Sequence, residues 1–294
     1  MTYNFIEKCK RYKGKLSTIL ILDSGIPENV DLDKKIDYKN SKNLFESPYF
    51  EKYCLNKNYL FNDKKKKYTT ESKIDIYDHE TNILSVICSD YLGTSPESNI
   101  ISCKIINKHG KAPIGFILEG LIYANKINPD IINISNGYSL KDITKSQDYQ
   151  IHDRINEEII KLYNKNILIV CSKKEYYGGF YPADFNQTIS VIEFNKNKEN
   201  IGDIIYEKKK FFVNSKKNEF TIKSGSSLMT GFISGILSNY ITYLKLNNKE
   251  INVKKIKKEL IKNKEFLSQL YCPSITFTEM SDAKIEAVIK NMSI

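Results

Sequence analysis

Tryptophan is absent from this chain of 294 residues. So is any run approaching the roughly 18 apolar residues of a membrane span. The opening stretch, MTYNFIEKCKRYKGK, has no apolar segment of the kind a secretory signal carries. No glycine-rich strand-to-helix phosphate loop occurs, which argues against a nucleotide-binding doubly wound protein. The six cysteines include no CxxC pair, and a chain of this length needs no disulfide scaffold. The net charge is +10, but the lysines are interspersed with 35 acids, and no arginine–aromatic recognition pattern accompanies them. KKKK at 64–67 and KKIKK at 254–258 are short runs that read as solvated faces. These absences lead to the expectation of a cytoplasmic protein with no nucleic-acid partner and no membrane span.

What is present supports a large core. Hydrophobic residues make up 41% of the chain and aromatics 12%, with 20 tyrosines, which is enough apolar surface for one sizeable α/β domain. Strand-like and helix-like segments alternate. STILILDSG (17–25) is an apolar run ending in a turn, as a buried parallel strand does. Residues 26–77 are polar and Lys/Asn-rich, and read as an insertion with little regular structure. A helix follows over 78–93, with Asp78 as cap and Gly93 as stop. Strands are expected at 99–106, 130–135, 166–172 and 188–194, helices at 113–127 and 153–165, and a hairpin at 204–213. Cys88, Cys103 and Cys171 lie inside apolar runs, where a thiol acts as a small core residue. The tail from residue 247 to 294 reads as a C-terminal helical extension packed on a single domain. Repeated alternation implies a mostly parallel sheet covered on both faces, a three-layer α/β/α architecture.

In such sheets functional groups gather at the carboxyl ends of strands. Three chemistry-bearing residues are expected there. Asp23 ends the first strand, His79 opens the first helix, and Ser227 stands where GSS leads into a glycine-bearing helix. Acyl transfer needs such a set: the imidazole removes the serine proton, and the carboxylate fixes the imidazole tautomer and its charged form. Taken singly, each has a plain structural explanation, as turn former, polar helix-start residue or cap. Their order along the chain, Asp then His then Ser, is the order found in subtilisin.

The segments as a set resemble the subtilisin-like serine proteases, or subtilases. ILILDSGI is similar to their apolar strand ending in Asp-Ser/Thr-Gly, at Asp23, Ser24 and Gly25. HETNILSVI is similar to His-Gly-Thr-His-Val-Ala-Gly at His79 and Thr81, with Glu80 in place of glycine and Asn82 in place of the second histidine. DIINISNG matches the Val-Ile-Asn-Met-Ser-Leu-Gly strand at Ile132, Asn133, Ser135 and Gly137. GSSLMTGFISG matches Gly-Thr-Ser-Met-Ala-Ser-Pro-His-Val-Ala-Gly at Gly225, Ser227 and Gly235. The resemblance runs in order over residues 17–245.

It implies a subtilisin-like fold and a serine endopeptidase: Ser227 as nucleophile, His79 as general base and acid, Asp23 as its orienter. It further implies a peptide or protein substrate extended along Ser135, Asn136 and Gly137, and an oxyanion held by the Ser227 N–H. It implies too that Gly231, Ser234 and Gly235 let the nucleophile's helix pass close to the sheet. The family's oxyanion asparagine has no counterpart in CSKKE; Lys174 takes its place. Removing such a donor costs about 10²–10³ in turnover, a magnitude known from subtilisin. The alternative reading is therefore a catalytically impaired pseudoprotease that binds peptides. The short segment before Asp23 leaves no room for a folded prodomain, which resembles intracellular subtilases, among them peptidases that trim leader sequences. No cofactor is expected. Calcium enters through the resemblance alone, since no Asp-rich loop marks a metal site.

Overall fold

The computed structural model of the protein describes residues 8, 12–46, 48, 52, 71–143, 146–174, 179–198, 200–207, 209–214 and 220–264. Residues 53–70 of the expected insertion, residues 265–294 of the expected extension, and Cys9, Cys54 and Cys272 lie outside these. Seven strands form one parallel sheet: β1 (Thr18–Asp23), β2 (Lys42–Asn43), β3 (Asn99–Lys104), β4 (Ile131–Ile134), β6 (Leu168–Lys173), β8 (Ile189–Glu193) and β9 (Ile204–Tyr206). Their spatial order is β2-β3-β1-β4-β6-β8-β9, so β1 lies near the middle between β3 and β4. Every residue of β1 after Thr18 is buried, as a strand covered on both faces requires.

Helices cover both faces. On one side α2 (His79–Cys88), α5 (Ser226–Leu246) and α6 (Val253–Lys262) pack with Ile19, Ile21, Ile100, Leu168 and Val170 in one apolar cluster. On the other, α3 (Ile114–Ile127) and α4 (Ser146–Asn164) pack with Leu20, Leu22, Ile132 and Ile169 in a second. Successive β1 residues thus alternate between the two cores. Each side chain so buried contributes about 1.5–3 kcal/mol relative to exposure. The three layers of the expected architecture are present, and α6 buries Val253, Ile256 and Leu260 against the body. Among the described residues no helix is long and apolar enough to cross a membrane.

Four expectations need correction. Residues 204–213 are not a hairpin: β9 pairs with β8 in the main sheet, whereas β10 (Lys210–Asn214) pairs antiparallel with β11 (Phe220–Ser224) outside it. Alternation within the segment could not show which neighbour each half would find. The 26–77 stretch has little regular structure among its described residues, as expected, holding a short helix, α1 (Val30–Asp33), capped by Asn29, and the edge strand β2; the helix expected over 78–93 instead ends at Cys88, short of Gly93. The amphipathic helix expected at 153–165 is α4, which begins seven residues earlier. Asp78 sits at the start of α2 but makes no side-chain cap bond, because its backbone is left-handed (φ 64°).

The two helix glycines also answer to a different neighbour. A Cβ on Gly231 would lie 3.0 Å from Ile83 Cγ2 and 3.4 Å from Ile87 Cγ1, and one on Gly235 would lie 3.0 Å from Thr94 Cβ. They let α5 approach α2 and the turn after it, not the sheet. Ser234 is the residue that meets the sheet, its hydroxyl donating to Asn133 Oδ1 at 3.0 Å. Glycine's helix penalty of about 1 kcal/mol is offset by this contact. Gly231→Leu should therefore destabilise by about 1–3 kcal/mol through overpacking. The shift would be read from the urea midpoint at unchanged m; a midpoint equal to the wild type would mean that α2 and α5 are not closely packed there.

Candidate active site

The carboxyl end of β1 and the start of α2 meet through several short polar contacts. Asp23, with no exposed surface, presents Oδ1 to His79 Nδ1 at 2.7 Å, and the same oxygen accepts the Ser24 N–H at 2.8 Å. The turn that follows needs Gly25: its φ is +120°, and a Cβ would lie 2.4 Å from the Lys73 carbonyl oxygen. The donors of the first turn of α2 are satisfied from elsewhere in the chain. Asp75 accepts the Asp78 and Thr81 N–H groups and the Thr81 hydroxyl at 2.7–2.8 Å, doing what Asp78 does not. Ser24 Oγ accepts the Glu80 N–H at 2.9 Å, and Glu80 Oε2 accepts the Gly25 N–H at 2.7 Å. The imidazole is thus held at the mouth of a buried polar corner, its side chain 27% exposed.

Electrostatics follow from this geometry. Burial opposes charging His79, but the charge and hydrogen bond of Asp23, with Asp75 behind, outweigh it and hold the pKa above 6.5; the Lys174 charge works the other way. Burial likewise raises the Asp75 carboxyl. Glu80 is raised well above the usual carboxylate range, first by burial, then by the charge of Asp23; Ser102 and the Gly25 N–H favour the ion without outweighing these.

Ser227 lies in the first turn of α5. The chain enters that helix through Gly225 at φ +138°, a conformation other residues rarely adopt. Leu228 and Met229 close on Gly225 O at 3.2 and 3.3 Å, which leaves the Ser226 and Ser227 N–H groups among those a helix start cannot satisfy internally. Ser227 and Ser135 form a reciprocal pair, each hydroxyl donating to the other's carbonyl at 3.3 Å. Asn133 Nδ2 donates to Ser135 Oγ at 3.1 Å, and Ser234 returns to Asn133, so α5 is tied to the end of β4 at two levels. Among the described hydrogen bonds the Ser227 hydroxyl goes to Ser135, not to the imidazole.

The expected peptide edge continues from there. Asn136 Oδ1 accepts the Gly137 N–H at 2.8 Å, and β5 (Tyr138–Ser139) pairs antiparallel with β7 (Phe180–Tyr181). A Cβ on Gly137 would fall 2.6 Å from Phe180 Cε1 and Tyr181 O, so glycine is required there by packing. Lys174 is exposed just past the end of β6. Its neighbour Lys173 points inward, fully buried, to Asp184 Oδ1 at 2.5 Å. Asp184 in turn accepts the Gly179 and Phe180 N–H groups, which fixes the turn facing Gly137. Among the described residues no group of three or more His, Cys, Asp or Glu is placed to hold a metal ion.

The structure therefore brings Asp23 and His79 into direct contact and sets Ser227 and Ser135 against each other, with the charge of Lys174 felt at His79. Asp75 and the Ser24 hydroxyl escaped the sequence reading. Asp75 lies four residues before the histidine, a spacing that signals nothing until the loop folds back over the helix start.

Residues 14–269 match the model of the subtilase family, and the chain belongs to that family. It is similar to an intracellular serine protease of Paenibacillus polymyxa, 24% identical over 184 residues, which cover 56% of this chain and 53% of that protein. It is also similar to the minor extracellular protease Epr of Bacillus subtilis (strain 168), 25% identical over 138 residues, covering 44% of this chain and 20% of that one. The chain thus spans about half the length of the first of these relatives and a fifth of the second. In fold it resembles a cold adapted subtilisin-like serine proteinase, with a TM-score of 0.61 at 13% identity over 86% of this chain and 83% of that one.

The raised His79 pKa generates a testable consequence. Its stabilising effect is complete below the unfolded value of 6.5 and is lost as pH rises through the folded value. In Asp23→Asn the attraction is removed while burial remains, so the His79 pKa should fall below its wild-type value in an NMR titration of the three histidines. An unchanged value would show that Asp23 does not govern the imidazole.

Proposed function

We propose that the protein is a serine peptidase that cleaves a peptide or protein substrate through Ser227, His79 and Asp23. The observation that carries this reading is the 2.7 Å contact between buried Asp23 and the imidazole of His79, at the strand end that the start of α5 also faces. With Nδ1 donating to Asp23, Nε2 is left without its proton and can accept one. Ser227 Oγ attacks the scissile carbonyl while Nε2 takes the hydroxyl proton; the C–N bond then breaks and the same proton passes to the departing amine. Water repeats the sequence on the acyl-enzyme, releasing the carboxylic acid product and restoring the serine. The 3.3 Å bond from Ser227 to Ser135 is long for a hydroxyl donor, so the hydroxyl exchanges it for the imidazole at little cost.

The developing oxyanion is placed at the Ser227 N–H, on the positive end of α5, with Lys174 as the second donor. The substrate lies extended along Ser135, Asn136 and Gly137, adding a strand to that edge. A cytoplasmic site of action, with trimming of leader peptides as its narrower form, is part of this proposal. It is supported by the likeness to the intracellular relative and by the three free, buried thiols Cys88, Cys103 and Cys171.

A second reading, a peptide-binding pseudoprotease, is favoured by the exposed lysine where a short amide donor belongs and by the Ser227–Ser135 bond. Fluorophosphonate labelling separates the two. An active enzyme is labelled at Ser227, and Ser227→Ala loses both label and turnover while thermal unfolding stays close to the wild type. Labelling and turnover that survive in Ser227→Ala would remove that residue from the mechanism; a wild type that takes no label would favour the binding role.

Lys174 allows a sharper test. Lysine brings a full charge, but several rotatable bonds must be ordered and a hydrated head drawn into a partly dry site. Lys174→Asn should therefore raise single-turnover acylation by an activated ester about tenfold, a barrier change of about 1.4 kcal/mol. A fall would mean that the ammonium itself serves the oxyanion or an acidic substrate. No change would place the residue outside the site.

A further inference from the structure

Three carboxyl groups without exposed surface converge on the base of His79: Asp23 from β1, Asp75 from the loop before α2, and Glu80 from α2 itself. Two of them are accounted for by the geometry above, Asp23 by the imidazole and Asp75 by the donors of the helix start. Glu80 is different. Its Oε2 accepts a single backbone N–H, from Gly25, and its Oε1 is buried with no partner. Asp23 Oδ2 and Ser102 Oγ are also buried and make no hydrogen bond among the described residues, although the Ser102 hydroxyl lies close enough to favour the Glu80 ion. Ser102 pairs in register with Ile21, two residues before Asp23, so it faces the same side of the sheet.

Among the described residues no charged group around this corner forms an ion pair with Glu80. Lys104, on that same face, donates to the Ile74 carbonyl at 2.8 Å and lies 3.4 Å from Glu71 Oε2. Lys174, past β6, is exposed, and His79 is engaged by Asp23. An isolated ionised carboxylate in such a place is costly enough that the group neutralises instead. A neutral carboxyl also turns Oε1 from a stranded acceptor into an O–H donor, with the Asp23 and Ser102 oxygens on the same face to receive it. The strong upward displacement of the Glu80 pKa, by burial and by Asp23, agrees.

We propose that Glu80 is a positioning residue for the Asp23–His79 pair, carried as the neutral carboxylic acid. Its two ends clamp the turn after β1 to the first turn of α2: the backbone N–H holds Ser24 Oγ, and Oε2 holds the Gly25 N–H. Asp23 and His79 precede the two clamped ends, so the clamp sets the distance between carboxylate and imidazole. Neutrality is what makes a carboxyl tolerable there, since a second fixed negative charge beside Asp23 would repel it. Where glycine normally follows the histidine in this family, this chain has a side chain that bonds across to the opposite turn.

This inference rests on the peptidase reading for its purpose, but its test does not depend on turnover. The His79 pKa is measured by NMR in the wild type, Glu80→Gln and Glu80→Met. Glutamine keeps the size and the acceptor oxygen without charge, so a neutral Glu80 predicts a His79 pKa within about 0.3 of the wild type. A fall of about one unit would show that Glu80 is ionised, since that corresponds to the loss of a nearby negative charge. Methionine is equally uncharged but cannot hold Gly25. The clamp therefore predicts a lower His79 pKa in Glu80→Met than in Glu80→Gln, and faster hydrogen exchange at the Gly25 amide. Equal values in the two variants would overturn the positioning role, and a methionine variant that does not fold would make Glu80 a requirement of the fold instead. Where the wild type turns over substrate, Glu80→Gln should recover most of the kcat lost in Glu80→Met. Absence of fluorophosphonate labelling would count against the peptidase reading alone and leave the titration result standing.

Discussion

Among the described residues the buried carboxylate of Asp23 has a single side-chain partner, the His79 ring, and the rest of the site is arranged around keeping that pair in place. Asp23 ends a strand flanked on both sides by parallel neighbours, so its backbone position is set by two ladders of hydrogen bonds. His79 begins a helix whose first donors are held by Asp75 and Ser24 and whose body is buried almost throughout. A buried charge left without its partner is strongly destabilising. The pair therefore links sheet and helix as much as it offers chemistry.

The second structural link runs from β4 to α5. Asn133, Ser135, Ser227 and Ser234 form a continuous polar connection through an otherwise apolar layer. Small side chains suit that place, since each bond spans the close approach of a helix to a strand. The glycines on the adjoining surface of α5 serve α2 instead, and so bring the elements that carry His79 and Ser227 together. Packing between two helices and bonding between helix and sheet jointly determine where Ser227 stands.

Charges of both signs surround the site. Buried acids lie beneath the imidazole, while Lys173 and Lys174 lie at the end of β6. Lys173 is neutralised by Asp184, which in turn shapes the turn facing Gly137. Lys174 is exposed and opposes the protonation of His79 that Asp23 favours. The imidazole is thus balanced between a carboxylate that charges it and an ammonium that resists the charge.

Much of this was legible in the residues themselves. Apolar runs such as Ile19–Leu22 are too hydrophobic for a half-exposed strand, so alternation with helices already implied a covered parallel sheet, and Asp23, His79 and Ser227 could be assigned to the ends of elements. Local pattern determines these features because periodicity and turn chemistry act over a few neighbours. The partners of each element were another matter. That β10 leaves the sheet to pair with β11, that Gly231 faces Ile83 on α2, and that Asp75 caps a helix from outside it depend on contacts between segments far apart in sequence. The state of Glu80 is the clearest case. In the sequence it is one acid among 35, and ionised in water. Only the tertiary structure removes its solvent, withholds a cation and sets Asp23 beside it, and desolvation is a property of the folded surroundings that no local pattern encodes.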